Sequence, residues 1–151
     1  MNSRVEMLPS YKIAYMRKTG PYGSSNIELM EQLKSWARGN NLFNEDTIIL
    51  GIAQDNPSTT NAESCRYDAC LVVDDNYKSV NSEIEHGNIA GGKYIVFTIN
   101  HTAEDVQQAW VNIFPELIKQ GYIVDDTRPI MERYQTQMIK NHQCEICVPL
   151  C

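Results

Sequence analysis

The sequence predicts an α+β domain: an antiparallel sheet built from a strand–helix–strand–strand unit used twice, two main helices on one face, and a ligand cleft between the halves. Three observations lead there. Two segments carry apolar residues at helical spacing, and six carry the two-residue alternation of strands. The two kinds of segment follow one another in the same order twice. A chain of 151 residues is the size of one domain, taken as 1–151.

In chain order, Tyr11–Thr19 alternates as a strand. A helix follows from Ser25 to Arg38, with Ile27, Met30, Leu33, Trp36 and Ala37 as its buried stripe and Gly39-Asn40 as its stop. Strands Thr47–Ala53 and Cys65–Val73 flank a polar loop, Gln54–Glu63, and the polar stretch Asp74–Gly92 joins the halves. Lys93–Asn100 opens the second half. Thr102 then offers an N-cap with Asp105 three residues on, a variant of the capping box. Val106, Ala109, Trp110, Ile113, Phe114, Leu117 and Ile118 form one broad apolar stripe that Gly121 ends. Pro115 lies inside it, and its missing N–H predicts a kink or a break into two short helices. Strands Pro129–Gln135 and Gln143–Leu150 complete the chain. Matching elements begin at 11 and 93, 25 and 102, 47 and 129, 65 and 143, so the unit repeats over roughly 1–78 and 79–151.

Composition excludes several classes. There are 13 Lys+Arg against 19 Asp+Glu, a net charge of −6, and Arg4, Arg17, Arg38, Arg66, Arg128 and Arg133 stand singly. Without a basic cluster, direct nucleic-acid binding is not expected. The first twenty residues hold no signal-peptide core, and no run approaches the roughly 20 apolar residues of a membrane span. A cytoplasmic protein without membrane partners is expected. Five cysteines, an odd number, then read as free thiols.

Three motifs carry little. Gly87, Gly92 and Lys93 have phosphate-loop spacing, but Tyr94 replaces the magnesium-binding hydroxyl and a strand follows, so Gly91-Gly92 reads as a turn or bulge. Cys144 and Cys147 are an odd number apart on a strand and point to opposite faces. His86, His101 and His142 form no metal-ligand spacing and read as solvated loop residues. No metal, cofactor or catalytic pair is expected.

What remains is acidic and aromatic. Glu132 and Tyr134 lie two apart on a strand and share a face. Glu145 lies in the most apolar strand, where a carboxylate either reaches solvent at an edge or sits in a cavity. With Tyr15, Tyr67 and Tyr94 on strands and Trp36 and Trp110 on the helices, these residues suggest an aromatic box with a carboxylate, suited to an organic cation.

The chain resembles the gyrase-inhibitor-like small-molecule-binding family, which also supplies the effector-binding domain of many AraC-type transcription regulators. The resemblance rests on ordered stretches: Ala14–Tyr22, Asp55–Thr59, Cys65–Cys70, Ile89–Tyr94, Arg128–Tyr134 and Glu145–Pro149. It implies the duplicated fold, ligands in the cleft, Glu132 of the E-x-Y stretch facing cationic drugs, and Glu145 as a second acidic position. Where the family pattern often carries tyrosine in the last strand, this chain has Cys147. Fewer than fifteen residues precede the first expected strand, too few for a helix-turn-helix domain ahead of it. The leading expectation is therefore a stand-alone module for amphipathic cations, with Glu132, Glu145, Tyr15, Tyr67, Trp110 and Tyr134 as ligand-binding residues. The resemblance also implies two alternatives: a partner of DNA gyrase or of a separate DNA-binding protein, and a hydrolase of reactive electrophiles using a buried glutamate as base.

Overall fold

The computed structural model describes residues 2–78 and 83–151. Its elements are β1 (Asn2–Leu8), β2 (Tyr11–Thr19), α1 (Ser24–Gly39), β3 (Ile48–Ala53), β4 (Arg66–Val73), β5 (Glu85–Ile89), β6 (Gly92–Asn100), α2 (Ala103–Gln120), β7 (Met131–Gln135), α3 (Thr136–Ile139) and β8 (Gln143–Pro149). The strands form one antiparallel sheet of order β1-β6-β8-β7-β3-β4-β2-β5. This order reads the same from either end when β1–β4 are exchanged with β5–β8, so each half is strand–strand–helix–strand–strand. The leading strand of each half is an addition to the expected unit. It pairs with the other half: β1 with β6, and β5 with β2.

The extra strands escape sequence pattern because they are edges. β1 holds Arg4 and Glu6, β5 holds Glu85, His86 and Asn88, and most of their residues are exposed. β5 falls inside the stretch expected to be a polar connection; residues 79–82 of that stretch lie outside the described residues.

Both helices keep their signals, with adjustments. Thr102 Oγ1 accepts from Asp105 N–H at 3.1 Å, and Gly121 closes α2 in the left-handed region at φ 78°. α2 runs unbroken through Pro115. The carbonyl that proline deprives of a donor belongs to Val111, 66% exposed, so water can serve it. α1 buries Leu29, Leu33 and Ala37, four apart, and leaves Ile27 66% exposed. Two residues are about 200° around a helix, so Leu29 and Ile27 cannot both face the core. On α2, Ala109, Ile113 and Leu117 are buried, whereas Phe114 and Ile118 are exposed at the stripe's margin.

Register places both helices on one face. Ile49 pairs with Leu71 and with Tyr134; Glu132 pairs with Ile146, and Ile146 with Phe97. Ile49, Ala69 and Leu71 pack under α1, and Phe97, Ile146 and Val148 under α2.

The opposite face has no helix, yet Leu8, Tyr11, Ile13, Leu50, Ile52, Cys70, Tyr94, Val96, Met131 and Cys147 are buried there in one cluster. The connections explain this. β1 and β2 are six strand positions apart, about 29 Å in a flat sheet. Only Pro9 and Ser10 link them, a reach of at most about 11 Å. Ala90 and Gly91 join β5 to β6 under the same constraint. The sheet must therefore curl until its concave face is a second core. The two short links touch: Gly91 N–H donates to Ser10 Oγ at 3.0 Å, and a Cβ on Gly91 would meet the backbone of Pro9 and Ser10 at 2.6 Å. That contact, rather than a phosphate, accounts for Gly91.

Candidate ligand-binding cleft

α1 lies over β4 and β2, and α2 over β6. The central pair β3–β7 is left between the helices, and its helix-side residues are Ile49, Gly51, Glu132 and Tyr134. Glu132 and Gly51 are direct register partners across the seam. The Tyr134 hydroxyl donates to Glu132 Oε2 at 2.6 Å. Tyr67 reaches in from β4, and its hydroxyl, with Met30 of α1, occupies the space above Gly51 that a side chain would fill. The His101 ring stands 5.5 Å from the Tyr134 ring.

The electrostatics of this seam are unusual. Burial raises the Glu132 pKa above the ordinary carboxylate range, against the single hydrogen bond from Tyr134 that lowers it. Among the described residues no Lys or Arg forms an ion pair with it. Burial, with the Glu132 charge next, also pushes up the Tyr67 and Tyr134 phenols and takes the Cys144 thiol to about 12. All three are therefore neutral at physiological pH. His101 is held below the usual histidine range by burial first and then by Lys34 and His142. The site is one carboxylate among neutral rings, a thiol and a thioether.

Of the expected ligand-binding residues, Glu132, Tyr67 and Tyr134 come together here. Trp110 stays on the helix side, packed against the cluster under α2. Tyr15 and Glu145 do not join them, and this is a correction. Tyr15 pairs with Cys70 and packs into the concave core. Glu145 pairs with Arg133, the neighbour of Glu132, and so faces the other way. It is neither at an edge nor in an open cavity, with no side-chain exposure at all. Arg133 Nε donates to Glu145 Oε1 at 2.8 Å, Gln135 Nε2 to Oε1 at 2.7 Å and Arg4 to Oε2 at 2.7 Å. Burial alone would raise the Glu145 pKa; the hydrogen bonds from Arg133, Gln135 and Arg4 outweigh it and hold it low. Glu145 is a satisfied structural acid.

Gly51, Met30, Cys144 and His101 were missing from the expected site. The legible signal was Gly51, a glycine inside a strand, which marks close approach of another group. Gly51→Ala is expected to destabilise the fold by about 1–3 kcal/mol through overpacking. Tyr67→Phe in the same chain should restore part of that loss in a denaturant melt, because the hydroxyl is what the new methyl meets.

A surface groove of about 1030 Å³ runs beside β2 and α1 and is lined by Tyr15, Arg17, Leu29 and Trp36 among others. The seam is the better candidate because it holds a half-buried carboxylate that has no counter-charge among the described residues. Arg17, the groove's arginine, is already spent on Asp68 at 2.7 Å. Among the described residues no cluster of His, Cys, Asp and Glu could hold a metal, and no helix is long and apolar enough to cross a membrane.

The model of the GyrI-like small molecule binding domain matches residues 1–150. An SPbeta prophage-derived candidate transcriptional regulator of Bacillus subtilis (strain 168), YosT, is 45% identical over 151 residues, 99% of each chain. A DNA gyrase inhibitor of Citrobacter koseri is 27% identical over 136 residues, 89% of this chain and 86% of that one. Among solved structures, the C-terminal domain of EcmrR superposes with a TM-score of 0.77 at 14% identity, over 99% of this chain and 97% of that one. In the EcmrR–DNA complex the chain spans 57% of the EcmrR length. SAV2435 bound to tetraphenylphosphonium superposes with a TM-score of 0.62 at 15% identity, over 100% and 94%.

Proposed function

Because the chain belongs to the GyrI-like small molecule binding domain family, we propose that its small-molecule ligand is an amphipathic organic cation, held in the seam between the halves with Glu132 as its counter-charge. The observation that carries this reading is the Glu132 carboxylate itself: half-buried, its pKa shifted up by desolvation, and answered among the described residues by one hydroxyl and no cation. A buried charge without a partner is costly, and a bound cation offsets that cost while the carboxylate offsets the cation's own desolvation. The faces of Tyr67 and Tyr134 add cation–π attraction of about 0.5–2 kcal/mol per ring. The side chain most ready to move aside for a bulky ligand is Met30, a flexible thioether over Gly51. The tetraphenylphosphonium bound to SAV2435, a protein of the same fold, supports a cation.

The test is thermal stabilisation against matched organic cations, anions and neutral analogues. A ligand at 100 times its Kd stabilises by about 2.7 kcal/mol. Cations alone should raise the melting temperature; equal response to neutral analogues would remove the electrostatic part of the proposal. A second reading, contact with DNA gyrase, is favoured by relatives that carry the name DNA gyrase inhibitor. A supercoiling assay with the purified chain decides it, and unchanged gyrase activity would dismiss it.

A further inference from the structure

We propose that the cationic group this cleft selects is a protonated amine, with N–H bonds to donate, in preference to a quaternary ammonium or a phosphonium. The inference rests on the reading that the cleft takes a cation. What it adds comes from the balance of donors and acceptors around Glu132.

A carboxylate has about four lone-pair positions. Among the described residues Glu132 accepts one hydrogen bond, from Tyr134, into Oε2, and none into Oε1. The Tyr67 hydroxyl has no hydrogen-bond partner among the described residues, although the residue is 4% exposed. It lies over Gly51, the register partner of Glu132, so the two oxygens overlook the same patch of the seam. A third oxygen is orphaned nearby in the sequence of the wall: Asn26 Oδ1 is buried without a partner, one helical turn before Met30 on the same face of α1. The Tyr134 hydroxyl, the donor that faces Glu132, is already spent on it.

The Tyr67 O–H is itself one unspent donor, but the free lone pairs of Glu132, Tyr67 and Asn26 outnumber it, and such a surplus of acceptors asks for a ligand that brings donors. An ammonium carrying N–H bonds can share them between Glu132 and the Tyr67 hydroxyl as short, charge-assisted hydrogen bonds. A phosphonium or a fully alkylated nitrogen presents C–H alone and would bury the same oxygens unsatisfied. On this assignment Tyr67 acts through its hydroxyl as well as its ring face.

The experiment is a calorimetric titration of the full chain with 2-naphthylmethylammonium, its N,N,N-trimethyl derivative and neutral 2-naphthylmethanol, at a pH where the amine is protonated and Glu132 ionised. The primary ammonium should bind about tenfold more tightly than the trimethyl compound, the worth of one hydrogen bond to a charged group. Tyr67→Phe should narrow that ratio to roughly two- to threefold by weakening the primary ammonium more. A wild-type ratio of one or below overturns the inference while leaving the cation reading in place. A ratio that Tyr67→Phe leaves unchanged, in a variant that melts cooperatively, overturns the role of Tyr67. Naphthylmethanol binding as tightly as both ammonium ions would sink the cation reading and this inference with it.

Discussion

Replacing Glu145 by Gln is expected to cost about 3–5 kcal/mol. The acid and Arg133 are both buried in the concave core, 0% and 3% exposed. Four N–H donors converge on the two carboxylate oxygens, two from Arg133 and one each from Gln135 and Arg4. A glutamine has one acceptor oxygen and would aim its own N–H groups at those donors, while the buried guanidinium would keep the Tyr11 hydroxyl and, as its charged partner, the distant Glu6 at 3.7 Å. In a chain of this size the loss corresponds to a fall of roughly 6–20 °C in Tm. The pH dependence has a definite sign. The Glu145 pKa is lowered by its partners, so its contribution is complete above the ordinary carboxylate range and is lost as pH falls through the lowered value. The variant should therefore lose the part of the acid-side slope that Glu145 supplies, while Asp55 and Asp125, both held at about 2 by their partners, keep theirs. The double replacement Arg133→Met with Glu145→Leu is the control, because removing both charges is often neutral. A Glu145→Gln chain that melts within about 1 kcal/mol of wild type would mean that water already reaches this network.

The network also explains why the curl holds its shape. Arg133 on β7 donates to the Tyr11 hydroxyl on β2 at 3.1 Å, although β3 and β4 separate those strands in the sheet. Arg4 brings in the edge strand β1. The concave face thus joins the halves by charge as well as by apolar packing, while on the helix face the same strand, β7, turns Glu132 toward the seam. Adjacent residues of one strand serve two unrelated purposes because the pleat sends them to opposite sides.

That alternation marks the limit of what the sequence shows. Within a strand it correctly paired Glu132 with Tyr134, and helix spacing with capping residues located α1 and α2 to within a residue or two at each end. Parity within one strand says nothing about parity in the next, which depends on register. Glu145 was grouped with Glu132 because both are acids in neighbouring apolar strands, yet register sets Glu145 opposite Arg133. Tyr15 fails for the same reason. β1 and β5 were unreadable because an edge strand answers to one hydrogen-bonding neighbour and keeps its polar residues. Ile27 shows the complementary error: apolar residues at near-helical spacing do not all face inward when a better candidate, Leu29, lies on the other side.

Glu132→Gln is expected to do the reverse of Glu145→Gln: stabilise the unliganded protein while removing its response to cations. Burial holds the Glu132 pKa high. A raised carboxylate pKa means that the group favours the fold at pH values below the ordinary carboxylate range, and that this contribution is lost as pH rises through the folded-state value. Glutamine does not titrate and can still accept the Tyr134 hydroxyl's hydrogen bond. Variant and wild type should therefore melt alike in acid and diverge as pH rises, the variant becoming the more stable by a few degrees, where about 1 kcal/mol corresponds to 2–4 °C. Against a cation at 100 times its wild-type Kd, the wild type should gain about 5–11 °C and the variant close to nothing. The pairing of the two results is what matters. A structural acid, when neutralised, costs stability, as Glu145 should; an acid kept unpaired for a ligand yields stability when neutralised and loses binding. Glu132→Gln that melts lower than wild type at alkaline pH would place a cation beside it already, and the seam would then be a second structural ion pair rather than a binding site.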